Sequence, residues 1–534
     1  MKCLKNIFTP LCCITILFFA VYLPYIFHGG FIIDDWGVAY QAHNKGSFLD
    51  IYKSWFPLFS NRPLAPFPIT LVALLYDLQP LGYIITHLCL WGLFLSLTTR
   101  VLYCYLGQYA YLFFILGLFP VVSSTVIFSP GMQLVASVSF SLWAIAFNIL
   151  NFSKKTSSRL TAYLLLLTSL LVYEITFPLL ILSWFVSCHS TLHKKKIRHF
   201  LLSCIPYVTI VFMVTVYQKV IIPNIMITHS RLHLNEIKSF LNTFWRWLKA
   251  LFCDLPIMLG DSFSRIFTYN HVELFTLVAI CLLGSMFFFV LGSQKGTQHV
   301  ENKNFLLISL LTFFASSLLY ILSGAYPDIS GYNNRGMTCS WIALSIFIPS
   351  FLCYFRKIKC LLILASIIYF FIICSFIIQR DQQIIASEYQ HIILQDFKKT
   401  IQESGYDLSS SYVLANIPAN PPDAFNNEVI FNVPWDFPFA VQMYFPNLVK
   451  SSAPVNPQMI ASGYLKVDGN DVAIFRDKFP IANLYYYQYS IGERKSTLEY
   501  IGKVEQVQKI IDITTTYEHW KGVPSWKERQ KAFF

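Results

Sequence analysis

Between positions 7 and 378 the chain alternates long apolar blocks with brief polar interruptions. A helix needs about 20 consecutive apolar residues to cross the ~30 Å hydrocarbon layer of a bilayer. Blocks of about that length predict spans near 7–27, 81–103, 108–122, 132–151, 160–173, 175–189, 200–220, 271–291, 305–322, 337–354 and 361–378, about eleven in all. Lys2 and Lys5 ahead of the first block resemble the start of a signal peptide. The block has the length of a span, however, and no small-x-small cleavage site follows it, so an uncleaved first helix is expected.

The pattern changes after residue 378. Ile384, Ile385, Tyr389, Ile392, Ile393 and Phe397 recur at helical spacing, and strand-like runs follow at Tyr412–Ile417 and Val429–Val433. Asn420, Pro421, Pro422 and Asp423 punctuate them as a turn. The expected architecture is an all-α polytopic membrane domain over 1–380 and a small C-terminal α/β domain over 381–534.

Two outward stretches, the first apolar and the second amphipathic, are expected not to span. One runs from Leu64 to Tyr76, opened by Pro63 and Pro66. The other carries Phe240, Leu241, Phe244, Trp245, Trp247, Leu248, Leu251 and Phe252 with Arg246 and Lys249 between them. Both are expected to lie in the bilayer interface, the second as an anchor or as a wall for a lipid substrate.

Charge then orients the bundle. Only 13% of the residues are charged and mean hydropathy is +0.53, against roughly 25% charged in soluble chains. The first 380 residues hold 26 Lys+Arg and 11 Asp+Glu, a balance of +15, which leaves the tail at −3. With the N-terminus in the cytoplasm, the basic residues Arg100, Lys154, Lys155, Arg159, Lys194–Lys196, Arg198, Lys295, Lys303, Arg356, Lys357 and Lys359 all fall on the cytoplasmic side, with Glu301 as the single acid among them. This is the positive-inside pattern, and it argues against a nucleic-acid partner, which would gather such residues on one soluble face. The odd span number sends the tail outside, together with the loops 29–80 and 221–270 and the polar segment Ser323–Gly336. The 13 cysteines lie almost entirely in apolar runs, with none after Cys374 and no zinc-type spacing, and read as small buried apolar residues. No HExxH motif is present, His87 reads as a residue that packs or hydrogen-bonds within its span rather than a ligand, and the sequon at Asn151 falls inside.

The outward segments hold the candidate chemistry. Asp34 and Asp35 follow the first span directly; adjacent carboxylates suit a general base and an orienting or cation-holding partner, or equally a helix cap. Arg62 and Arg335 are outward arginines beside spans, suited to phosphate through paired hydrogen bonds or to snorkelling toward headgroups. Glu174 follows Tyr173 in a tight turn between two spans, where an ionisable group marks a functional candidate and a solvated turn carboxylate is the plainer reading.

Taken in order, a short cytoplasmic start, Asp34-Asp35, Asn61-Arg62-Pro63-Leu64, Pro80-Leu81-Gly82-Tyr83 with His87, Tyr173-Glu174 and a late-loop Arg335 resemble the polytopic GT-C glycosyltransferases. That group includes protein mannosyltransferases, lipid A aminoarabinose transferases and, with a similar outward tail, bacterial O-antigen glucosyltransferases. The resemblance implies a GT-C-like membrane enzyme of the bacterial inner membrane, with its tail in the periplasm. It implies a polyprenyl-phosphate sugar as donor and an envelope glycan or lipid, such as O-antigen or lipopolysaccharide, as acceptor. It implies Asp34 or Asp35 as general base, and Arg62, Tyr173, Glu174, Asn334 and Arg335 on the substrate. A divalent cation, Mg or Mn, is left open. The competing classes are a lipid-linked oligosaccharide polymerase or ligase, a transporter or flippase, and a structural envelope protein that binds a partner through its tail; acids clustered outside rather than at the midplane disfavour transport. The tail is expected to act on the acceptor side, and a chain lacking residues 390–534 that still used its acceptor unchanged would overturn this.

Overall fold

In a computed structural model the described residues are 2–32, 34–192, 197–222, 237–293, 303–323, 327–329, 332–417, 431, 435–456, 459–460, 463–474, 477–490 and 495–516. They form two compact units. The first comprises 1–27, 48–72 and 82–380, and the second 28–47, 73–81 and 381–534.

The first unit is a helical bundle. Its helices include α1 (Lys2–His28, whose last residue belongs to the second unit), α3 (Phe48–Trp55), α5 (Pro80–Leu106, whose first two residues belong to the second unit), α6 (Ala110–Leu118), α8 (Leu134–Phe152), α9 (Thr156–Val172), α10 (Leu180–Leu192), α11 (Ile197–Val216), α13 (Leu255–Arg265), α14 (His271–Ser293), α15 (Lys303–Ala315), α16 (Leu318–Ser323), α17 (Thr338–Tyr354) and the start of α18 (Lys359–Ser404). Among the described residues seven helical stretches are long and apolar enough to cross a membrane, and shorter apolar helices cover Ile14–His28, Pro66–Tyr76, Thr156–Val172 and Glu174–Cys188. The chain is an all-α polytopic membrane protein with a smaller α/β part.

Small and hydroxyl-bearing residues let these helices approach closely. Along α8, Asn148 Nδ2 donates to the Leu97 carbonyl at 2.7 Å and Ser141 Oγ to the Leu90 carbonyl at 2.8 Å, tying it to α5. His87 is buried with Ser137 Oγ 3.3 Å from its ring nitrogens, a packing role as the sequence suggests. A Cβ on Gly284 of α14 would run into the Ile373 side chain of α18, with Leu17 of α1 just beyond.

Three expectations change. The block at 108–122 is α-helical only over Ala110–Leu118 in α6, with 3₁₀ turns at Gly107–Tyr109 and Val121–Ser123; Pro120 follows the end of α6, and the buried, mostly irregular stretch up to α8 also holds the short α7 (Thr125–Phe128). Such backbone is tolerated away from water because protein surrounds it and supplies its hydrogen-bond partners. The helix α12 (Ile237–Lys249) does not present its aromatics as one face: Trp245 is 67% exposed, whereas Trp247 is buried against Phe313 and donates to Ser340 Oγ at 2.9 Å. The cysteines with described side chains are all free, but Cys89, Cys104, Cys253 and Cys360 are exposed rather than buried.

The second unit holds α2 (Asp34–Lys45), α19 (Asp436–Tyr444), α20 (Val504–Thr516), the last part of α18 and two sheets. In the first sheet β1 (Tyr412–Asn416) lies between β2 (Ser451–Pro454) and β6 (Leu484–Ser490), parallel to both, and β7 (Lys495–Tyr500) pairs antiparallel with β6. Parallel neighbours require crossovers, and α19 lies in the one from β1 to β2. The second sheet is an antiparallel meander of β3 (Leu465–Asp468), β4 (Asp471–Ile474) and β5 (Asp477–Pro480). Gly469, at φ +63°, takes the left-handed turn between β3 and β4 that a side chain would resist. Leu414, Val472, Leu484 and Val507 centre a core shared by both sheets and α20. Tyr487 of β6 donates to Asp396 Oδ2 of α18 at 2.7 Å. The expected strand at Tyr412–Ile417 is β1; the one at 429–433 lies outside the described residues except Phe431, whose φ of +47° is not that of a strand.

Overpacking the α1–α14–α18 contact tests the bundle. Gly284→Leu is expected to destabilise the protein by about 1–3 kcal/mol, read as a lowered midpoint of thermal unfolding in detergent; an unchanged midpoint would mean that these helices do not meet at Gly284.

Candidate functional site

Four loops gather at one end of the first unit's bundle. The peptide N–H of Leu64 donates to the Leu171 carbonyl at 3.2 Å, joining the loop before α4 (Pro66–Tyr76) to the C-terminal end of α9. There Arg62 meets Glu174: Nε donates to Oε2 at 2.6 Å and Nη2 to Oε1, a fork-to-fork pair. The guanidinium lies 4.2 Å from the centre of the Tyr173 ring, a cation–π contact. Burial works against the charge of Arg62, but the Glu174 carboxylate and then Tyr173 outweigh it and raise its pKa, while Arg335 pushes the other way. The charge of Arg335 is therefore felt at Arg62.

Each member sits on a braced turn. Tyr217 and Gln218 lie in a π-helical turn, Tyr217–Ile221, that continues α11. The Tyr217 hydroxyl donates to the Ser60 carbonyl at 3.0 Å and Gln218 Nε2 to the Asn61 carbonyl at 3.1 Å. Tyr52 of α3 adds a hydroxyl on the Pro63 carbonyl at 2.7 Å. Three consecutive-turn carbonyls around Arg62 are thus occupied by side-chain donors. The Tyr173 turn rests on hydroxyls: Ser139 Oγ lies 2.9 Å from the Tyr173 carbonyl, and Ser169 Oγ lies 2.8 Å from Thr176 Oγ1.

Asn334 and Arg335 share the short 3₁₀ turn Tyr332–Met337. Asn334 is buried; its Oδ1 accepts from the Thr125 N–H at 3.1 Å and its Nδ2 donates to Ser124 Oγ at 3.2 Å. Its amide thus clamps the Arg335 turn to the irregular stretch after α6. Within this unit the structure brings together Arg62, Tyr173 and Glu174 by direct contact, and Arg335 by electrostatic reach.

Asp34 and Asp35 belong to the second unit, in the first turn of α2, where negative charge suits the helix dipole. The two differ in environment. Asp35 is fully buried, and its Oδ2 accepts from the Ile32 N–H at 3.3 Å, reaching back as a capping side chain does. Asp34 is half-buried, and its Oδ1 accepts the indole N–H of Trp435 at 3.0 Å. The next residue, Trp36, is buried among Phe31, Phe431 and Tyr444 and donates to Gln390 Oε1 at 2.7 Å. Among the described residues no three His, Cys, Asp or Glu side chains assemble as a metal-binding group.

No protein-family model matches the sequence, and no curated protein is detectably similar to it. Among solved structures, that of ArnT from Cupriavidus metallidurans bound to undecaprenyl phosphate matches 90% of this chain and 92% of its own at 9% identity and a TM-score of 0.31. A likeness of that degree carries no weight for fold or function, which rest on the helices and side chains above.

Sequence reading missed Tyr52, Tyr217, Gln218 and Trp435, because their roles are contacts between distant segments. Removing one partner of the ion pair is the direct probe of the cluster. Arg62→Ala strands Glu174 in a partly buried place and is expected to cost about 1–3 kcal/mol, the exposed fraction of the carboxylate softening a fully buried loss. Thermal unfolding of Arg62→Ala beside Arg62→Met/Glu174→Leu checks this: the double variant should recover part of the loss, and equal midpoints for wild type and Arg62→Ala would show that the pair contributes nothing.

Proposed function

We propose that the protein is a membrane glycosyltransferase that moves a sugar from a polyprenyl-phosphate donor to a hydroxyl of an envelope glycan or lipid outside the cytoplasm. The observation that carries the reading is the braced arginine cluster: Arg62 paired fork to fork with Glu174 and set over Tyr173, with Arg335 in electrostatic reach, at a loop end of an apolar bundle. A lipid phosphate asks for this combination, with its chain in hydrocarbon and its headgroup against arginine. Charge placement supports an outward orientation for that end, with the N-terminus inside, the tail in the periplasm and the bacterial inner membrane as location.

In the proposed reaction the acceptor oxygen attacks the anomeric carbon. The bond from that carbon to the phosphate oxygen breaks, and polyprenyl phosphate leaves with the electron pair. Asp34 takes the proton of the acceptor hydroxyl; it is preferred over Asp35, whose buried carboxylate caps its own turn. Arg335 offsets charge building on the departing phosphate. Arg62 is held by Glu174 and Tyr173 and adds a fixed positive flank. Asn334 keeps the Arg335 turn in place.

The test is transfer of label from undecaprenyl-phosphate glucose, mannose, galactose or N-acetylglucosamine to envelope acceptors in membranes. Wild type is expected to use one of these, Asp34→Asn at equal insertion to lose about a hundred-fold or more, and Arg335→Gln to raise the donor KM about ten-fold. Full activity in both Asp34→Asn and Asp35→Asn, or no transfer from any donor, would bring the transporter and structural readings forward. Transfer of preassembled oligosaccharide alone would favour a polymerase or ligase.

A further inference from the structure

We infer that the C-terminal tail takes part in the chemistry through Trp435, as a positioning residue for Asp34. The inference rests on the reading of Asp34 as general base. Trp435 stands at the N-terminal boundary of α19, in the crossover between β1 and β2, and its indole N–H reaches Asp34 Oδ1 at 3.0 Å. The indole nitrogen donates and does not accept. It therefore fixes the rotation of the carboxylate about its side-chain axis, which sets where the lone pairs of Asp34 are aimed.

The mount behind this bond is rigid. Phe439, one turn along α19, stacks on Tyr40 of α2 with ring centres 4.5 Å apart and planes 20° from parallel. Tyr444 at the end of α19 meets Trp36 edge to face at 5.9 Å. Trp36 is itself anchored by Gln390 of α18. Close approach of the backbone just before α2 adds to this, since a Cβ on Gly30 would collide with Ser387 Oγ of α18. Helix α19 and helix α2 are thus locked to each other through rings, and the Trp435–Asp34 bond lies at the start of both. The plain alternative is that Trp435 only packs α19. Packing, however, does not require a nitrogen on the ring, and this difference makes the two separable.

The experiment uses the full chain in membranes and whichever of the four labelled donors the wild type accepts. Trp435→Phe, Trp435→His, Asp34→Asn and Trp435→Phe/Asp34→Asn are compared, with Tyr500→Phe on the outer strand β7 as a control. Trp435→Phe is expected to lower kcat about ten-fold, the loss of one hydrogen bond to a charged group, with the donor KM within about two-fold of wild type. Trp435→His keeps a ring N–H and should recover part of that loss. The double variant should be no slower than Asp34→Asn, since with the base gone its positioning no longer matters. Should Trp435→Phe fail to accumulate, Trp435→Met takes its place in the cycle. Wild-type kcat in Trp435→Phe beside an inactive Asp34→Asn overturns this inference and leaves the proposed function standing. Multiplying losses in the double variant do the same. Full activity in Asp34→Asn removes the base reading and this inference with it.

Discussion

Hydrocarbon offers no hydrogen bonds, and the architecture of the first unit follows from that. Every peptide group must find its partner inside the protein, so the chain crosses as helices, and departures from helix occur where protein encloses them. The irregular stretch after α6 illustrates the rule. Its Ser124 and Thr125 are buried, and the Asn334 amide bonds to both. The same scarcity applies to charge. Arg380 is buried, with Nη1 on the Val21 carbonyl at 2.7 Å, and Arg62 keeps its charge because Glu174 meets it with two oxygens. Arg62, Glu174 and Asn334 spend their polar groups on partners that hold loops in place.

The membrane architecture was legible because a span is a statement about length and composition, both local. Expected spans at 132–151, 271–291 and 337–354 fall on α8, α14 and α17. Where the sequence carried two conflicting signals, reading it locally failed. Residues 108–122 look apolar enough to cross, yet Pro120 and the hydroxyl run behind it end the helix early. Helical periodicity puts Trp245 and Trp247, two residues apart, on opposite sides of α12, but when both sides are apolar it does not say which of them meets protein: Trp247 is buried and Trp245 is not.

The candidate site was legible in its charged members and not in their supports. Arg62, Glu174 and Arg335 stood out because ionisable residues are rare beside spans. Nothing local distinguishes Tyr217 or Gln218, which bond to carbonyls 157 positions away, or Trp435, whose partner is 401 positions away. Nor could the sequence separate Asp34 from Asp35. The difference between them is one of environment, a buried cap against a half-buried acceptor, and adjacent identical residues carry no trace of it.

The π-helical turn at Tyr217–Ile221 makes residue count, more than residue identity, the property under constraint in this part of the chain. A π turn is an α-helix carrying one extra residue. The wide turn takes up that residue locally, so loss of Lys219, Val220 or Ile221 returns the segment to the ordinary α-helical repeat. The widened turn that presents Tyr217 and Gln218 to the Ser60 and Asn61 carbonyls would be gone, although both side chains would still be present. In comparisons with future relatives, an indel there is the change to watch, and a conservative substitution at either position the lesser one.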